Sequence, residues 1–449
     1  MDRKVHDTLL KWKSSSGRAL VLEGPRQTGK TFIMKEFSKS YHYSVYIDLE
    51  ENEELKTVFE QTNDASEIYE KLSYNGIRFD TSSGNPLFII DGIQSCPRAF
   101  SALKPLAVDG RCDMIASVSL PGVEPSEGDF PSPIGYVQMV EMGPMDFEEF
   151  LWAMGIGKEL TAKIRQWIDT GSEIDVSIGS ALTRYFRKFM TVGGMPAAVQ
   201  KYVDTKDCNE VWDVLASICN IIEKDALRYS DKKDRLKILA CLESIPSQLA
   251  GENKTFVYKD VGKQAGTGRR EYGSSLDWLH RAGLINLCYN LRDPCEPLSQ
   301  MERTDSFKVY LKDPGILTYM LGRETASAIE SGNTYVNEGA VVESCISQAL
   351  VSNGYRIHFY SKPNSSLKMD FVISYKGRLT ALETRSGKTK ISRSLLMLTS
   401  GDYKVERGIK IADGPVGADE HGILHLPLFA PCFFDIPRIE TAPSRTPRK

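Results

Sequence analysis

The chain has 449 residues, 26% charged and 41% hydrophobic, with a formal net charge of -3. That length exceeds what one core organises and predicts about two to four domains, while the near balance of charge excludes a protein coated in basic residues, so nucleic-acid contact has to be a local patch. Nine cysteines without a CxxC pair exclude a zinc or disulfide framework, no stretch reaches the roughly 20 apolar residues of a membrane span, and residues 1–18 lack a secretory pattern, so a cytoplasmic protein with no membrane contact is expected.

In chain order, Val5, Leu9 and Leu10 fit one face of a short helix that Ser14-Ser15-Ser16-Gly17 breaks. Ala19 to Leu22 then reads as a buried strand entering Gly24-Pro25-Arg26-Gln27-Thr28-Gly29-Lys30-Thr31, and Phe32 to Lys39 as the helix leaving it. This is GxxxxGK[ST] in the context the motif requires. Glycines let backbone amides wrap phosphates, Lys30 reaches the outer phosphates, Thr31 offers a hydroxyl to Mg2+, and the helix N-terminus faces the anion. Gly24, Arg26, Gln27, Thr28, Gly29, Lys30 and Thr31 are therefore expected to bind ATP, with Arg26 able to neutralise phosphate charge.

Tyr43 to Leu49 follows as an alternating strand containing Asp48, and Pro86 to Asp91 as a continuous apolar strand closed by a carboxylate. Such a carboxylate belongs beside the loop hydroxyl, where it holds the magnesium's water shell, so Thr31 and Asp91 are the expected metal pair. The 61 residues from Lys30 to Asp91 leave room for an intervening strand and helix. Met114 to Ser119 is a fourth strand whose hydroxyls, Ser117 first, could report on the outer phosphate, and Val137 to Met142 is a fifth. Strands alternating with helices predict an α/β domain with a parallel, doubly wound P-loop sheet over residues 1–150. The breaker-rich stretch Pro121–Pro133 reads as a surface loop.

Gly24 to Thr31, the run Leu87 to Gln94, Pro144 to Phe150, Gly193-Gly194-Met195-Pro196 and Glu223-Lys224-Asp225 resemble the prokaryotic AAA-type ATPases that carry a C-terminal domain of unknown function with a restriction-endonuclease-like core. The chain departs from that family at two positions. The family has Asp-Glu where this chain has Asp91-Gly92, and a Gly-Arg pair where it has Gly135-Tyr136. Glycine cannot polarise an attacking water, and a neutral phenol cannot replace a guanidinium. Binding and hydrolysis thus separate: Lys30, Thr31 and Asp91 suffice to hold ATP with magnesium, while fast turnover lacks its carboxylate unless Asp48, Glu50 or a residue of another subunit substitutes.

Residues 151–234 read as helical, with Val211, Leu215, Ile218 and Ile222 on one buried face, and the resemblance implies a lid over the nucleotide. Residues 235–325 show three helices and a strand pair, Leu284 to Leu291 and Phe307 to Leu311, the plan of a winged helix. Between Lys254 and Tyr272 five basic residues, Lys254, Lys259, Lys263, Arg269 and Arg270, outnumber two acidic ones, Asp260 and Glu271, which suits either DNA contact or plain scaffolding.

Residues 326–435 begin with a helix carrying Glu343, followed by strands carrying Asp370 and then Glu383-Thr384-Arg385. These resemble the acidic set of restriction-endonuclease-like nucleases, which implies catalytic roles for Glu343, Asp370, Glu383 and Arg385 and a magnesium ion between Asp370 and Glu383. Arg385 stands where the family has lysine, and a guanidinium is not deprotonated, which argues for weakened or lost cleavage. Residues 436–449 read as a disordered, proline-rich basic tail. The expected protein is an ATP-binding AAA-type switch with slow hydrolysis and a DNA or protein partner; an ATP-controlled, magnesium-dependent DNA nuclease and a non-catalytic binding module are the alternatives.

Overall fold

The computed structural model describes residues 1–435 apart from 16, 83, 120–132, 134, 231–232, 263–267, 333–336, 386–391 and 402. The loop expected within Pro121–Pro133 falls almost wholly outside the described residues, as does the tail at 436–449. The described residues form two units, each assembled from three stretches of sequence: 1–145, 192–244 and 258–285 in the first, 146–191, 245–257 and 286 onward in the second. This grouping differs from the linear division at 150, 234 and 325. The residues expected as one lid and one winged helix are shared out between the units.

In the first unit, β1 (Ala19–Glu23), β2 (Ser44–Asp48), β3 (Leu87–Asp91), β4 (Asp113–Val118) and β5 (Val137–Glu141) form a parallel sheet in the order β2-β3-β4-β1-β5. Its two faces are both covered, which is why β1 and β3 are apolar without interruption. Val21, Phe88 and Ile90 join one core with Phe59, Ile68 and Leu103. The alternate residues Leu20, Leu22, Leu87 and Ile89 join a second core with Leu9, Trp12, Ile33 and Phe37. Every strand points the same way, so the loops after β1, β2, β3 and β4 leave from one edge, where ligands bind in open parallel sheets.

In the second unit, β6 (Ile285–Leu291), β7 (Glu302–Leu311), β8 (His358–Ser361), β9 (Lys368–Tyr375), β10 (Arg378–Arg385), β11 (Arg407–Ala412), β12 (Gly417–Ala418) and β13 (Leu424–Leu426) form one sheet in the order β12-β13-β11-β10-β9-β8-β6-β7. β8, β9 and β10 are antiparallel in turn, and β11 runs parallel to β10. The helix Glu338–Ser352 packs against β7 and β10, and Arg393–Ser400 against β9, β10 and β11. The strand pair expected as a wing is therefore a continuation of this sheet. The buried, largely apolar β6 pairs in parallel with β8, Tyr289 opposite His358 and Asn290 opposite Phe359, instead of standing as an isolated hairpin.

All nine cysteines are free thiols. Among the described residues no helix is long and apolar enough to cross a membrane.

Candidate nucleotide site and the buried acidic cluster

The loop between β1 and the helix Lys30–Ser38 is shaped by residues that only small or turn-tolerant side chains allow. A Cβ at Gly24 would stand 2.2 Å from the Met142 carbonyl oxygen, so only glycine lets β1 leave the sheet here. Gln27 and Gly29 are both left-handed, with φ of 64° and 91°. Thr28 is fully buried and its hydroxyl donates to the Pro25 carbonyl at 3.0 Å, closing the turn from within.

Lys30 is buried, and its Nζ donates to the carbonyls of Gly24 (2.9 Å) and Pro25 (2.6 Å). Burial lowers its pKa to about 8, against the raising effect of the Asp91 charge. An ammonium desolvated against neutral carbonyls is a cation prepared for an anion. Thr31 donates its hydroxyl to Asp91 Oδ2 at 2.6 Å, which brings the two expected magnesium-associated side chains together at the end of β3. These residues fit a magnesium triphosphate: Lys30 would hold phosphate charge, while Thr31 and Asp91 would hold the ion, whose role is to neutralise the phosphates.

Ser117 is fully buried; its hydroxyl donates to Asp91 Oδ1 and accepts from the Gly92 N–H at 3.0 Å. It orients the carboxylate, and the hydrogen bonds it makes are to protein groups at the foot of the site. Tyr46 donates to Asp91 Oδ2 at 3.0 Å, and burial followed by the Asp91 charge pushes its phenol pKa up, so it remains a donor.

Arg26 donates to both carboxylate oxygens of Glu50 at 2.7 Å, and its Nε stands 3.4 Å from Asp225 on the helix Cys208–Tyr229. Gln94 donates to Glu50 Oε1 and accepts from the Ser119 N–H at 3.1 Å. Asp48 is occupied in the turn after β2, its Oδ1 accepting from the N–H groups of Glu50 (2.8 Å) and Glu51 (3.2 Å).

Several of these contacts escape sequence reasoning. Arg3 is buried and donates to the Thr28 carbonyl at 2.7 Å and the Gly143 carbonyl at 2.8 Å, bracing the loop from behind. The Gly-Gly-Met-Pro run is explained by crowding: a Cβ at Gly194 would lie 1.9 Å from the Met145 carbonyl oxygen, and Pro196 abuts Gly29. Tyr136 lies before β5, whose pairing with β1 puts it level with the start of that strand, because Ala19 N–H donates to its carbonyl. It thus sits at the sheet edge opposite the phosphate loop, and its ring lies under Lys104.

In the second unit, Glu343 is buried among donors. Lys308 Nζ stands 3.1 Å from its Oε2, Tyr310 donates to the same oxygen at 2.8 Å, and Lys254 pairs with Oε1. Burial alone would raise the carboxyl pKa, but Lys308 and Lys254 outweigh it and hold Glu343 at about 2. Asp370 is pushed up by burial and by the Glu343 charge, and it accepts from the Thr384 N–H (2.8 Å) and hydroxyl (2.9 Å). Glu383 is buried on β10, in register with Lys410 of β11. Among the described residues no three His, Cys, Asp or Glu side chains gather to hold a metal. The donor set around Glu343 does not fit a magnesium ion, since two ammonium groups already supply the positive charge. The Arg385 side chain lies outside the described residues. Of the basic patch expected between Lys254 and Tyr272, Lys254 is turned onto Glu343, and Lys263 lies outside the described residues.

The model of an AAA domain matches residues 16–151, and that of a domain of unknown function, DUF8612, matches residues 183–327. The match over residues 16–151 supports an AAA-type ATP-binding domain there. No curated protein matches the chain. Among solved structures, the Walker-type ATPase paby2304 of Pyrococcus abyssi is 13% identical with a TM-score of 0.42, over 71% of this chain and 95% of that one. AMPPCP-bound DnaA from Aquifex aeolicus is 13% identical with a TM-score of 0.28, over 62% and 86% of the two chains. Drosophila ORC bound to DNA is 13% identical with a TM-score of 0.25, over 72% and 93%. At these scores the likenesses carry no weight beyond the family match. The AAA domain brings its loop, Asp91 and Glu50 to one edge of the parallel sheet.

Proposed function

We propose that the AAA domain binds ATP with magnesium, hydrolyses it slowly, and uses the bound triphosphate as a switch. The observation that carries this reading is the Lys30, Thr31 and Asp91 constellation at the ends of β1 and β3, joined to a position 92 that has no carboxylate. Arg26 gives the switch a physical form. It is tied to Asp225 on the helix Cys208–Tyr229, and entering phosphates compete for the same guanidinium. Equilibrium binding of ATP set beside steady-state phosphate release tests the proposal. Tight binding with turnover well below about 1 s⁻¹, the lower end of ordinary enzyme rates, is expected; brisk turnover overturns the slow-hydrolysis half, and absent binding overturns the whole.

The second unit supports a restriction-endonuclease-like core with weakened or lost cleavage. Its helix Glu338–Ser352 carrying Glu343, followed by the antiparallel β9 and β10 carrying Asp370 and Glu383, keeps the order on which the resemblance above rests. The two lysines on Glu343 argue against the magnesium-dependent step. Magnesium-dependent cutting of duplex, single-stranded or branched DNA that disappears in Asp370→Ala and Glu383→Ala would establish the nuclease reading instead. Salt-sensitive DNA binding without cutting is the expected signature of a binding role.

A further inference from the structure

We propose that Glu50 is the carboxylate that orients and deprotonates the attacking water, in place of the side chain missing at Gly92. The inference rests on the ATP-binding reading of the AAA domain. In the β2–β3 pairing Asp48 stands level with Asp91, so the chain leaving β2 runs beside the chain leaving β3. There the two compete for one volume: a Cβ at Gly92 would lie 2.6 Å from Glu50 Cγ. Glycine at 92, with φ of 66°, is the residue that makes room for a carboxylate delivered from the neighbouring strand.

The groups around Glu50 hold it for that task. Asp48 accepts from its N–H and fixes the turn. Gln94 ties its Oε1 to the end of β4 through the Ser119 N–H. Arg26 engages both its oxygens, and it belongs to the loop that receives the phosphates. Phosphate drawing Arg26 away frees a Glu50 oxygen for the water, and the competition of Glu50, Asp225 and phosphate for that guanidinium keeps hydrolysis slow. The step then balances: the water oxygen forms a bond to the terminal phosphorus, the bridging P–O bond breaks, and its electron pair leaves on the diphosphate. The water's proton passes to Glu50 and from there to the released phosphate.

The test pairs binding with chemistry on the full chain. Affinity for a slowly hydrolysed ATP analogue and single-turnover hydrolysis of ATP are measured for the wild type, Glu50→Gln, Glu50→Ala, and Glu50→Ala combined with Gly92→Glu. Glu50→Gln is expected to slow hydrolysis by about 100-fold or more, the range a general base supplies, while analogue affinity holds or rises as Arg26 loses a competing carboxylate. The combined variant is expected to exceed Glu50→Ala by roughly tenfold. Hydrolysis by Glu50→Gln at the wild-type rate overturns the proposal, as do parallel loss of analogue binding, a combined variant that binds analogue but gains nothing, and a wild type that binds ATP without hydrolysing it. A wild type that fails to bind the analogue overturns the nucleotide-site reading itself.

Discussion

Lys308 and Glu343 form an ion pair at 3.1 Å with side chains only 7% and 3% exposed. Separating such a pair leaves one charge without compensation in the interior. Glu343→Leu should therefore destabilise the second unit by about 3–5 kcal/mol, and Glu343→Leu with Lys308→Met should recover most of that loss. Urea unfolding of the two variants checks the prediction; equal losses would show that the pair does not act as one unit.

The same carboxyl sets an acid limit. Its folded pKa of about 2 lies below the ordinary 4.5, so its stabilising contribution is complete above pH 4.5 and is lost as pH falls through that window toward 2. Unfolding followed between pH 5 and pH 2 should show this decline, and it should be shallower in the double variant.

Lys30 predicts the opposite end of the pH scale. Below about pH 8 it is charged before nucleotide arrives; above that, the empty loop holds a neutral amine that the triphosphate must reprotonate. ATP affinity should weaken above pH 8, by at most about tenfold per pH unit, with net proton uptake on binding. Calorimetry in buffers of different ionisation enthalpy measures that uptake directly. Lys30→Ala should cost roughly 100-fold in affinity, about 3 kcal/mol of charged hydrogen bonding.

Asp91 and Thr31 should act through the metal. Asp91→Asn is expected to leave magnesium-free ATP binding near its wild-type value and to remove most of the magnesium enhancement. Affinities measured with and without excess EDTA decide this. An equal loss in both conditions would instead mark Asp91 as a scaffold for Tyr46 and Ser117.

Arg26 should transmit the nucleotide's presence. Hydrogen exchange in the helix Cys208–Tyr229 is expected to change on adding a slowly hydrolysed ATP analogue, and the change should vanish in Arg26→Ala. Because Arg26 and its partners are partly exposed, the substitution itself should cost under about 1 kcal/mol of stability.

The phosphate loop and its sheet were legible because the signal is local: an apolar strand, a glycine motif and a helix lie within residues 19–38, and the apolar run ending in Asp91 is continuous. Contacts made across strands were not. Nothing in the chain order says that Glu50 reaches Gly92 or that Tyr46 reaches Asp91, since both follow from the register of β2 on β3. The membership of β6 and β7 in the larger sheet depends on pairing with β8, some 70 residues later for Tyr289 and His358. One signal was available: Lys308 and Tyr310 sit at alternate positions of the apolar run Phe307-Lys-Val-Tyr-Leu311, and a lysine inside such a run calls for a buried acid. The likeness of Glu343 to a nuclease set is silent about Lys254, Lys308 and Tyr310.

Arg3 ties the segment ahead of the helix Val5–Ser15 to the backbone of the phosphate loop, through the Thr28 and Gly143 carbonyls. The shape of the cradle thus depends on a side chain about 25 residues away in sequence that touches no phosphate, so Arg3→Ala should alter nucleotide affinity although every residue of the loop is unchanged.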